Sequence, residues 1–257
     1  MYMFPFSDPG VRRSPAAGWR CGLLPRIVAL RTALVGLGVA VAIPAFAGRP
    51  LATDDAAVVE DGACQLESWV ERARDSRSAW VNAGCNPLGG TEFSLGGARG
   101  REDGASAFTV QQWQIKHLLR SPEGTQPGFA LAVGGQRLRH ERSGQTFLKG
   151  IATVPLAGHA HLLHLNLGAS HARGDDGHRA RAVWALAYDT QVASGTRAAV
   201  ETFGTAGERA NWQVGLRHEL VPGRVQIDAS VGSTLGRWSS TRVFTVGLVF
   251  VSPAFLR

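Results

Sequence analysis

The chain has 257 residues and a formal net charge of +7, a balance that ordinarily points to a nucleic acid or an anionic surface. Only two lysines occur, Lys116 and Lys149, and no basic run is interleaved with aromatics, which argues against nucleic acid. Five of the 27 basic and one of the 20 acidic residues precede Thr32, so the remaining chain carries only +3.

Those five are Arg12, Arg13, Arg20, Arg26 and Arg31, and they lead into the continuously apolar run Thr32–Ile43. Pro44-Ala45-Phe46-Ala47 follows, then Gly48. A basic stretch, an apolar stretch and an A-x-A-like site together make a secretory leader, with cleavage expected near Ala47. The apolar run falls short of the ~20 residues a spanning helix needs. Residues 1–47 are therefore expected to be a signal peptide, 48–62 an extended N-terminal segment and 63–257 the folded domain. Cys21 leaves with the leader, and Cys64 and Cys85 remain, flanking what reads as a first hairpin. An exported chain permits a disulfide between them. Two cysteines without neighbouring histidines are too few for zinc, and no C-x-x-C spacing is present for redox work.

After residue 62 the sequence becomes a succession of short alternating segments. Strands are expected over 64–72, 78–85, 91–99, 106–119, 128–137, 145–154, 159–171, 179–190, 196–204, 210–219, 223–232 and 241–251. The alternation is cleanest toward the end. Trp212, Val214 and Leu216 alternate with Asn211, Gln213, Gly215, Arg217 and Glu219; Val225, Ile227, Ala229 and Val231 alternate with Arg224, Gln226, Asp228 and Ser230. In the last strand Phe244, Val246, Leu248 and Phe250 share one face. A period of two puts each set on one side of a sheet. Asp175-Asp176-Gly177, Ser194-Gly195 and Pro222-Gly223 supply turn chemistry between strands.

A soluble sandwich also needs short alternating strands. Three features favour a membrane barrel instead. Strands near ten residues match a tilted crossing of the hydrocarbon layer. Trp69, Trp80, Trp113, Trp184, Trp212 and Trp238 are spread along the chain as interfacial girdles would require. The segments 99–105, 120–126 and 173–179 are strongly polar, as loops should be. The fold expected is all-β: an antiparallel transmembrane β-barrel of about twelve strands, ten to fourteen, behind a cleaved signal peptide.

The opening Arg49-Pro50-Leu51-Ala52-Thr53-Asp54-Asp55-Ala56, followed by Gln65-Leu66-Glu67, resembles the start of a bacterial family. So do Glu201-Thr202-Phe203-Gly204, Asn211-Trp212-Gln213-Val214-Gly215-Leu216-Arg217 and Val225-Gln226-Ile227-Asp228, while Phe244–Phe250 looks like its closing strand. The family is that of transporter-like outer-membrane proteins named for the MetA-pathway of phenol degradation. The resemblance implies an outer-membrane channel for small, often hydrophobic or aromatic, solutes, and it carries no catalytic residues. One departure is that Val251–Arg257 continues past the closing strand, where many outer-membrane barrels end on an aromatic residue.

With the apolar face toward lipid, Glu201, Asn211, Gln213, Arg217, Glu219, Arg224, Gln226 and Asp228 would point inward as lumen-lining residues. They would form either a satisfied ion-pair network or a solute path whose charge sets selectivity. Thr53, Asp54 and Asp55 form an acidic lead-in expected to tuck into the periplasmic mouth and pair with lumen arginines. His159 and His161 would share one strand face with His164 on the other, which is a weak ligand set, so no metal is expected. A lipid-modifying enzyme is the rival class. Its only local groupings are Ser143 near His140 and Glu141, and Ser170 beside His171, whose side chains would face opposite ways; no G-x-S-x-G occurs. The reading is a porin-like outer-membrane channel for passive passage of small solutes, without catalysis or cofactor. A closed structural or adhesive barrel, its lumen filled by its own side chains, is the alternative. The implied partners are membrane lipids, small hydrophobic solutes, periplasmic chaperones and the barrel-assembly machinery.

Overall fold

A computed structural model of the chain describes residues 51–139, 143–157, 159–174 and 177–256. The signal peptide with its cleavage site, Cys21, Gly48–Pro50, His140, Glu141, the Asp175-Asp176 turn pair and Arg257 lie outside the described residues. Twelve strands form: β1 Cys64–Ala73, β2 Ser76–Cys85, β3 Thr91–Glu102, β4 Ala107–Arg120, β5 Gly128–Leu138 and β6 Gly144–Leu156. They continue as β7 His161–Gly174, β8 Gly177–Ala193, β9 Thr196–Thr205, β10 Asn211–Val221, β11 Val225–Thr234 and β12 Val243–Val251. Every strand pairs antiparallel with its sequence neighbours, and β1 pairs with β12 to close the ring. A single turn of helix, α1 (Trp238–Thr241), interrupts the connection before β12, which therefore starts at Val243 rather than 241.

The period-two pattern explains the layering, and it is inverted relative to a soluble protein. Leu66, Val70, Val81, Leu95, Leu131, Leu148, Leu167, Leu216, Ile227, Phe244 and Phe250 are exposed on the outside. Gln65, Glu67, Glu92, Lys116, Lys149, Asp189, Glu201, Gln226 and Asp228 are buried on the inside. Ring closure leaves no strand edge, so the wall satisfies its own backbone while presenting apolar side chains outward. Of the six tryptophans expected in girdles, Trp69 and Trp80 turn inward instead. They share strand parity with Gln65 and Glu67, stack with ring centroids 5.3 Å apart, and pack against Ala98, Val110, Phe108 and Leu138. Their two indole N–H groups donate to the Glu71 carboxylate.

The ends of the ring differ. At the rim where β1 begins and β12 ends, Cys64 and Cys85 are cross-strand partners joined by a disulfide. The Val221–Arg224 turn closes there, with Arg224 N–H donating to the Val221 carbonyl at 2.9 Å and Gly223 at φ 69°. The residues after β12 fold back on the chain's own beginning. Phe255 and Leu256 N–H both donate to the Gly62 carbonyl, at 2.8 and 2.9 Å. Gly62 has φ 75°, and a Cβ there would lie 2.5 Å from the Leu256 oxygen, so only glycine fits this clasp. We call this the terminal rim and the other the distal rim.

Candidate functional site

Residues 51–62 form no strand. They run around the inner wall of the ring before entering β1, and their backbone would be costly there if left unpaired. The wall supplies the missing partners from five strands, β3, β4, β6, β7 and β9. Glu201 on β9 accepts three hydrogen bonds, from Ala52 N–H (2.8 Å), Thr53 N–H (2.8 Å) and the Thr53 hydroxyl (2.6 Å). Asn166 on β7 accepts from Asp54 N–H and donates to the Asp54 carbonyl, both at 2.8 Å. Ala56 N–H donates to Thr153 Oγ1 on β6 at 2.8 Å, and that hydroxyl also meets His164 Nδ1 at 2.9 Å. Val59 N–H donates to Glu92 on β3 at 3.0 Å, while Asn86 donates to the Val59 carbonyl and to Asp61.

Two ion pairs fix the centre of the segment. Lys149 on β6 pairs with Asp54, and Lys116 on β4 pairs with Asp55 at 3.7 Å. Both lysine side chains are almost fully buried. The adjacent carboxylates point apart, as an extended chain requires, and each meets a cation on a different strand. The partners are therefore the two lysines and not the arginines expected from sequence, because Arg197 and Arg217 are held by Asp189 on β8. Burial opposes ionisation of Asp54, but Lys149 and Lys116 outweigh it and hold its carboxyl well below the usual carboxylate range.

Small inward side chains make room for the segment. Ala56 packs on Ala130, Ala132 and Ile151, and Leu51 packs on Ala187 and Ala199. Along β5 the inward positions Gly128, Ala130, Ala132 and Gly134 are all small and buried.

The lumen-lining candidates separate into two groups. Glu201, Gln213, Gln226 and Asp228 are buried within the ring. Arg217 is register partner of Asp228 and reaches Asp189 on β8 at 2.5 Å, where Arg197 on β9 also pairs at 2.6 Å. One carboxylate thus holds two guanidinium groups. The others sit at the rims. Asn211 accepts from the Thr234 hydroxyl, Glu219 accepts from Gly223 N–H, and Arg224 lies in the turn ahead of β11 and donates to the Ser252 carbonyl at 2.6 Å. Sequence reasoning missed Lys116, Lys149, Glu92, Asn166, Asp189 and Arg197. A usable signal exists only for Lys149, a single cation in the run Phe147-Leu148-Lys149-Gly150-Ile151; around Lys116 the run Gln114-Ile115-Lys116-His117 has no alternation that marks it as inward.

The histidines do not converge. His159 lies in a turn at φ 69°, His161 meets Tyr188 and Thr190, and His164 is buried against Thr153. Among the described residues no group of three His, Cys, Asp or Glu side chains could hold a metal. Ser170 is buried and His171 is exposed, on opposite sides of β7.

Residues 35–249 match the family described as uncharacterised conserved protein UCP029691. No curated protein matches the sequence. Among solved structures, an outer membrane channel from Pseudomonas putida F1 superposes with a TM-score of 0.59 at 12% identity, over 77% of this chain and 98% of that one. The KdgM porin in complex with disordered oligogalacturonate gives 0.55 at 11% identity over 72% and 98%. The NanC porin gives 0.54 at 6% over 73% and 98%. At these identities the likeness is one of fold, the closed twelve-stranded antiparallel barrel.

Proposed function

Since the chain belongs to the family described as uncharacterised conserved protein UCP029691, we propose that it is a bacterial outer-membrane channel whose bore is set by its own N-terminal segment. In this reading residues 1–47 are the export signal, and the terminal rim faces the periplasm, where segment and clasp lie. The apolar outside meets lipid, and small solutes pass along the ionised inner wall. The observation that carries it is the way residues 51–59 are held, by side-chain hydrogen bonds and two ion pairs rather than by a strand ladder. A segment so held narrows a lumen without becoming part of its wall. The Asp189–Arg197–Arg217 group adds fixed charge, which tunes ion selectivity.

The solute class rests on the sequence resemblance to the phenol-degradation family, and the charged wall favours its polar members, phenols and aromatic acids. The relatives of like fold include a porin complexed with oligogalacturonate, which supports passage of a solute through such a ring. The test is conductance of the purified barrel in a planar bilayer. Discrete steps are expected, with altered anion-to-cation preference in Arg217→Ala and larger steps when residues 51–59 are replaced by a Gly/Ser stretch. A silent bilayer for both proteins would favour a closed structural barrel, a reading that the packed Trp69–Trp80 cluster also suits.

A further inference from the structure

At the distal rim the outer face changes from apolar to basic. Arg72 at the end of β1 lies directly opposite Arg77 at the start of β2, and Arg77 lies directly opposite Arg101 on β3. Arg99 shares the outward face of β3, and Arg242 sits just ahead of β12, outward like Phe244 two residues on. All five are exposed. Like charges in register across neighbouring strands repel, and the outward positions of β12, β1, β2 and β3 hold no Asp or Glu to offset them. The nearby acids lie in turns: Asp75 pairs with Arg74 at 3.7 Å, and exposed Asp103 follows β3, its N–H donating to the Asp75 carbonyl, while Glu102 has inward parity.

We propose that this arginine row binds the phosphate groups of anionic lipid headgroups in the surrounding leaflet. The guanidinium fork matches phosphate oxygens bidentately. Neighbouring strands lie about 4.8 Å apart, so one phosphate can bridge Arg72 and Arg77, or Arg77 and Arg101. Phe244 lies level with the row as the register partner of Arg72, and below it Val70, Val246, Val81 and Leu95 form an exposed apolar wall. A molecule suited to both levels carries phosphate above and acyl chains below, which selects a lipid over a soluble anion. The inference rests on the reading that the apolar outside meets lipid.

Native mass spectrometry of the full-length, detergent-purified barrel tests it, with phosphatidic acid against phosphatidylcholine of identical chains. The folded protein should retain phosphatidic acid at least tenfold better, and the Arg72→Gln/Arg77→Gln/Arg101→Gln variant should lose that preference. Arg77→Gln alone, which removes the central partner, should show a partial loss and serves if the triple variant does not fold. Equal retention of the two lipids, an unchanged preference in both variants, or full displacement by millimolar inorganic phosphate overturns the proposal. Heat-modifiable gel mobility of protein recovered from membranes is read separately. Its failure overturns membrane insertion itself, not the headgroup preference.

Discussion

Lys149 is a cation with almost no exposure whose partner lies on the segment inside the ring. Lys149→Met would leave Asp54 buried and unpaired, and breaking a buried ion pair from one side costs about 3–5 kcal/mol. The expected result is a lead-in segment cut rapidly by protease while the barrel still shifts on boiling. Adding Asp54→Asn should restore much of the protection. The same pair predicts a pH profile. The Asp54 value in the folded chain lies below its ordinary 3.8, so its contribution to docking is complete above about 3.8 and is lost as pH falls through the depressed value. A fluorophore on Ala52→Cys should therefore report a docked segment from pH 7 down to 4 and release only in stronger acid. The two acids could be read in the sequence as a docking element, but their partners could not. Lys116 and Lys149 sit in strands whose neighbours are irregularly polar, whereas the cleanest alternation, in β10–β12, drew attention to Arg217 and Arg224.

Among elements, β5 shows why an inner surface is hard to read from alternation. Its outward residues Phe129, Leu131 and Val133 announce a strand, and its inward residues are small enough to carry no pattern. That smallness is the site, because Ala56 packs there on Ala130 and Ala132. Ala132→Leu should overpack this contact at a cost of about 1–3 kcal/mol, loosening the lead-in segment and raising conductance. Leu131→Ala, on the outside of the same strand, should leave both unchanged. Trp69 and Trp80 carry the opposite lesson. An aromatic residue fits both an interfacial girdle and an inner core, and only strand parity with Glu67 and Glu71 decides between them.

For the whole molecule, twelve strands were legible because one rule, a period of two, governs every wall segment. Ring closure followed from it only once an apolar outside excluded a free edge. A charge introduced at the middle of that outside should cost about 2–4 kcal/mol, so Leu216→Arg should lower recovery of folded, heat-modifiable barrel from membranes, while a polar change at the exposed turn residue Asp103 should not. The Cys64–Cys85 bond joins strands already paired along their length. Cys64→Ser/Cys85→Ser should lower the unfolding transition by up to about 3 kcal/mol and leave the ring closed, as gel mobility under reducing conditions would show.

The lead-in segment also has a place in time. Its anchors lie far along the chain: Glu92 is 33 residues from Val59, Thr153 is 97 from Ala56, Asn166 is 112 from Asp54 and Glu201 is 148 from Thr53. Contacts of such separation form late, because the intervening loop must first be closed. The part of the described chain that emerges first from synthesis is thus among the last to find its seat, after at least nine strands have assembled. A protected segment then reports a wall assembled through β9, and a cleavable one marks a molecule that stalled before that point.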